Sequence, residues 1–139
     1  EDHRFFNVIR QFAPDLAEIE TLAESARSRL PEPFASAARA VVLRVEDLAD
    51  DATLDALGIE DPFELTGLYD GIPLTQKSLM DVPQQPDAIW LFRAAILDEW
   101  VARGDVALDV LVTHVFVHEL AHHLGWSDAD IARIDRWWE

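Results

Sequence analysis

Cysteine is absent from the 139-residue chain. Disulfides are therefore excluded, and so is any metal site built on thiolates. A bound metal would need histidine, aspartate, glutamate and water as donors. The lack of cysteine fits a cytoplasmic location, which is the expectation. Basic residues are scarce: 11 Lys and Arg stand against 27 Asp and Glu, a formal charge of −16. Such a surface repels a phosphate backbone, so no nucleic-acid partner is expected, and anionic membranes are disfavoured on the same ground. The charge serves solubility first and attraction of basic substrates or cations second. No apolar run reaches the roughly 18 residues that span a bilayer, so no membrane partner is expected. The first residues lack a basic segment followed by an apolar one, so no signal peptide is expected. Internal repeats and low-complexity tracts are missing too.

What is there is half hydrophobic, enough to bury a core in one domain over residues 1–139. Residues 1–13, with Phe5 and Phe6, read as an N-terminal extension. Pro14 can open a helix in which Leu16, Ile19, Leu22, Ala23, Ala26 and Leu30 recur at helical spacing, until Pro31 and Pro33 stop it. Ala40 to Val45 is a short β-branched run and predicts a strand. Thr53 to Leu57 predicts one helical turn ending at Gly58. Asp70-Gly71 between apolar flanks predicts a tight hairpin turn, with Pro73 confining the second arm to a sheet edge. Ala88 to Arg93 reads as a buried strand, and residues 94–102 as a helix ended by Gly104. Asp105 is the expected cap of a helix of about twenty residues, Val106 to Leu124, apolar on nearly every face and so destined for a core. Gly125 ends it in the position of a left-handed residue. A last helix from Asp128 to about Trp137 is expected, with Ser127 as its N-cap and Asp130 three residues on. The fold class is α+β: a small mixed sheet of three to four strands flanked by helices, around a central buried helix.

That central helix carries His118-Glu119-Leu120-Ala121-His122. His118 and His122 are four apart and project from one helix face, within reach of one ion. Glu119 is rotated by about 100°. It can flank the ion without ligating it and face an activated water. This is the mechanical content of H-E-x-x-H: zinc lowers the pKa of its water toward about 7, and the carboxylate takes the proton. A catalytic site wants a third protein ligand. Gly125 lets the chain leave the helix, and Asp128, six residues after His122, can return to the metal. Asp130 and Asp135 are the alternatives, and an acid at position 128 would also suit a helix N-terminus without any metal.

His114 is four residues before His118. Residues eight apart on a helix are separated by about 12 Å, so His114, His118 and His122 cannot share one ion, and His114 reads as a core residue or support for the ligands. His123 is rotated off the ligand face and is expected to meet a backbone group or a carboxylate. Tyr69 and Arg93 are candidates for steadying an oxyanion or binding substrate. The tryptophans at 126, 137 and 138 read as core and as a cover for the last helix.

His-Glu-Leu-Ala-His-His-Leu-Gly-Trp-Ser-Asp, after an apolar helix and before one short helix, resembles the minimal zincin family of small bacterial zinc metallopeptidases. Gly67-Leu68-Tyr69-Asp70-Gly71-Ile72-Pro73-Leu74 and Ala88-Ile89-Trp90-Leu91-Phe92-Arg93 are similar to that family's pattern as well. The likeness covers roughly residues 15–136. It implies a zincin-like core and one zinc ion held by His118, His122 and Asp128, with Glu119 as general base. The spacing of the third ligand is similar to that of metzincins, but the sole methionine, Met80, lies upstream, so no methionine turn is expected below the metal. The expected function is a zinc-dependent metallohydrolase, a metallopeptidase acting on a peptide or protein substrate. The alternatives are a non-catalytic zinc-binding or protein-interaction module on the same fold, and a metal-free helical domain with a coincidental motif.

Overall fold

The computed structural model describes residues 14–71, 87–127 and 129–131. Helix α1 spans Leu16–Ser28 and α2 spans Phe34–Arg39. Strand β1 is Val42–Glu46, helix α3 is Asp51–Leu57, and a 3-10 turn covers Pro62–Glu64. Strands β2 (Gly67–Asp70) and β3 (Ala88–Phe92) precede α4 (Arg93–Arg103) and α5 (Leu108–His123). The fold is the expected α+β type, with a mixed sheet of three strands among the described residues, in the order β1-β3-β2.

Strand β3 is central. It runs parallel to β1, with Val42 opposite Ala88, and antiparallel to β2, with Tyr69 opposite Ile89. Its alternation sends side chains to two faces. Ile89 and Leu91 join the main core with residues from α1, α2 and α5. Phe92 joins a smaller cluster with Ala49, Leu54 and Ala95, against which Trp90 and Leu68 pack. A strand covered on both faces reads as an uninterrupted apolar run, which is what Ala88 to Phe92 is.

Helix α5 touches α1, α2, α4, β2 and β3. Leu111, Val112, Phe116, Val117, Leu120 and Ala121 are all buried on it. Phe116 alone contributes roughly 1.5–3 kcal/mol by leaving water. Arg27 of α1 lies over the Phe116 ring and donates to the carbonyls of Ala38 and Val41 at 2.8 and 3.0 Å. It thereby satisfies backbone acceptors where α2 ends.

Several local expectations need correction. Asp105 does not cap α5: the N-cap is Ala107, no side chain caps it, and the helix has 16 residues. Trp100 Nε1 donates to the Val106 carbonyl at 2.9 Å, which keeps that residue in the turn between α4 and α5. Pro14 precedes α1 rather than opening it. Asp15 is the N-cap, and its carboxylate and that of Glu18 form a reciprocal capping box. Arg93 begins α4 instead of closing β3. Helix α2 has no counterpart in the sequence reading. The second arm of the expected hairpin lies outside the described residues, and the strand observed beside β2 is β3. Among the described residues no helix is long and apolar enough to cross a membrane.

Candidate metal centre

The C-terminal end of α5 closes as a Schellman motif. Gly125 N–H donates to the His122 carbonyl at 2.9 Å, and Trp126 N–H donates to the Ala121 carbonyl at 3.0 Å. Gly125 has φ 88°, the left-handed region, as the reversal requires. Gly125, Trp126 and Ser127 then line a cleft of about 730 Å³ together with His118, Glu119 and His122 of α5. Gly67, Leu68 and Tyr69 of β2 form another wall, and Leu57, Ile59 and Leu65 add an apolar rim. Leu57 is 47% exposed there. A smaller hollow adjoins it across His118 and Glu119, lined also by Glu64, Glu99, Arg103 and His114.

The rings of His118 and His122 have centroids 5.0 Å apart and planes inclined at 74°. Two imidazoles bound at about 2.1 Å to one tetrahedral ion put their centroids about 5 Å apart. The pair therefore fits a shared metal in both donor type and spacing. The His114 and His118 rings are 6.4 Å apart, too far for the same arrangement. Among the described residues no group of three or more His, Asp or Glu converges to hold an ion. Asp128 and Asp135 lie outside the described residues. Asp130, the other alternative ligand, is engaged elsewhere. Its Oδ2 accepts from the Ser127 amide and hydroxyl at 3.1 and 3.0 Å, while its own amide donates back to Ser127 Oγ at 3.2 Å. Ser127 is thus the N-cap of the helical residues 129–131, as its type predicts.

Glu119 sits where β2 comes close to α5 at Gly67. A Cβ on Gly67 would lie 2.6 Å from Val115 Cγ1 and 3.2 Å from Glu119 Cγ. Only a residue without a side chain lets the strand approach so near.

Tyr69, half-buried on the cleft wall, and His123, buried, belong to a polar cluster beside the cleft. The Tyr69 hydroxyl donates to Asp87 Oδ2 at 2.7 Å. His123 Nδ1 lies 3.0 Å from the same oxygen and 3.2 Å from the Tyr69 hydroxyl. Burial first, then the hydrogen bond to Asp87 and the charges of Asp87 and Asp70, push the Tyr69 phenol well above its ordinary range. Its one proton is directed at Asp87 Oδ2. Asp87 escaped the sequence reading because it closes a polar loop-like stretch; the Asp just before an apolar strand was its one signal. Arg93, the other oxyanion candidate, lines neither hollow. Its guanidinium donates to Asp47 at 3.1 Å and to the Pro14 carbonyl. Trp126 meets Phe34 edge-on at 5.2 Å and walls the cleft, while the tryptophans at 137 and 138 lie outside the described residues.

Comparison with curated proteins finds no match. The model of one family, described as zincin-like metallopeptidase, matches residues 38–138, which include β1, the whole sheet and all of α5. That span is well over half of the chain, and with a helix bearing two histidines at metal-sharing distance it shows the kinship: the protein belongs to the zincin-like metallopeptidase family.

Proposed function

We propose that this protein is a zinc-dependent peptidase that cleaves extended peptide segments, with Glu119 as its general base. The observation that carries this reading is the 5.0 Å pair of imidazoles flanking Glu119 in an open cleft. His118 and His122 would hold one zinc ion, with Asp128 as the third ligand. The bound ion supplies Lewis-acid chemistry, polarising the scissile carbonyl and lowering the pKa of water. Glu119, one residue from a ligand and on the cleft wall, takes the proton from the attacking water and passes it to the departing amine.

Strand β2 lines the cleft with Gly67, Leu68 and Tyr69, and among the described residues no strand pairs with its outer edge. An extended peptide can add to such an edge through main-chain hydrogen bonds. The rim of Leu57, Ile59 and Leu65 offers cover to an apolar side chain, and the chain's net negative charge favours cationic peptides over phosphate-bearing polymers. Glu119→Gln should keep zinc binding and lower kcat by about 10²- to 10⁴-fold, measured on a fluorogenic peptide. An unchanged rate would remove Glu119 from the chemistry. Stoichiometric zinc with no turnover of any peptide would favour a non-catalytic zinc module on the same fold.

A further inference from the structure

Three polar side chains from three separate segments meet beside the cleft: Tyr69 from β2, which also lines it, Asp87 from the residue before β3, and His123 from the end of α5. Asp87 is 7% and His123 2% exposed. Burying a carboxylate and an imidazole is expensive unless each is paired. An apolar trio could fill the same space without that cost. A polar trio does something an apolar one cannot, because hydrogen bonds are directional. The Tyr69 hydroxyl and His123 Nδ1 both point at one oxygen, Asp87 Oδ2. The Tyr69 and His123 rings also meet edge-on, centroids 5.4 Å apart. Gly71 closes over the carboxylate: a Cβ there would lie 2.5 Å from Asp87 Cγ and Oδ1. The cluster thus fixes the rotation of the His123 ring, and with it the last turn of α5, against the sheet.

We infer that Tyr69 and Asp87 are positioning residues for the ligand His122, acting through His123. The inference rests on the zinc reading above. His122 lies in the last turn of α5, where helices fray because the final carbonyls lack intrahelical partners. The Schellman closure holds the backbone of that turn. The Tyr69–Asp87–His123 cluster holds it from the side. A ligand whose turn is already ordered binds metal without first ordering it. Were the turn ordered one-tenth of the time, the apparent zinc affinity would fall about tenfold. Removing groups that orient metal ligands typically weakens binding by about 10- to 100-fold.

The test measures the zinc dissociation constant by competition with a chromogenic chelator, and the unfolding midpoint of the metal-free protein. Tyr69→Phe, which removes one oxygen, should weaken zinc binding about tenfold while the metal-free chain stays folded. Asp87→Ala should weaken it more, and Asp87→Asn, which keeps an acceptor oxygen, should fall between Asp87→Ala and the wild type. Leu54→Ala, in the smaller core cluster, serves as a control for plain destabilisation. It should lower the midpoint and leave the zinc constant of the folded protein unchanged. Wild-type zinc affinity in Tyr69→Phe, or an equal loss in Leu54→Ala, would overturn the positioning role while leaving the zinc site intact. Absence of zinc binding in the wild type would overturn both.

Discussion

Tyr69 is the sole tyrosine of the chain, so its ionisation can be followed without interference from another phenol. Burial and the Asp87 carboxylate raise its pKa in the folded state. Below its ordinary value of about 10 the phenol is protonated in both folded and unfolded chains, and the stability linked to it is fully present. Above that value the unfolded chain releases the proton and the folded chain keeps it. Stability should therefore fall as pH rises past about 10, with tyrosinate absorbance appearing together with unfolding rather than before it. Tyr69→Phe should remove this part of the alkaline loss. A phenol that titrates near 10 in a chain still folded by circular dichroism would show that the hydroxyl is not held by Asp87. The same residue marks a limit of sequence reading. An isolated tyrosine beside Asp-Gly looks like a hairpin tip open to substrate. Its actual partner, Asp87, is 18 residues away in sequence, and no local pattern announces a contact of that span.

At the scale of elements, the spacing between β2 and α5 decides the width of the cleft. Gly67 sets that spacing. Gly67→Ala would press a methyl group into Val115 and against Glu119. Overpacking of this kind costs about 1–3 kcal/mol, and here it also displaces the proposed base. The variant should lose both thermal stability and activity. Adding Val115→Ala should restore stability beyond the sum of the two single effects, which a double-mutant cycle measures. Strict additivity would mean that the strand does not bear on the helix at this point. Elements with a strong periodic signal were legible in the sequence. Helix α1, strands β1 and β3, and the end of α5 at Gly125 follow from spacing, β-branching and glycine. The start of α5 did not, because a tertiary bond from Trp100 to Val106 outweighed the capping preference of Asp105. Helix α2, six residues long, is too short for periodicity to register. It forms because Phe34, Ala37 and Ala38 are buried in the main core.

At the scale of the whole molecule, the three strands among the described residues support one helix with half of its residues buried, and the candidate metal pair lies on the partly exposed side of its last turns. The main core spreads over α1, α2, α5 and one face of the sheet, so the helix is fixed from several sides. The histidine pair was legible in the sequence because spacing on a helix is set by backbone geometry alone. The wall that faces it was not, because the sheet must first form to bring β2 across. Zinc binding by His118 and His122 is the claim on which the proposed chemistry depends, and metal content measures it most directly. Purified protein, dialysed against zinc and then against metal-free buffer, should retain one zinc per chain by elemental analysis. The double variant His118→Ala/His122→Ala should retain almost none. Equal zinc in the two proteins, or none in the wild type, would contradict the account.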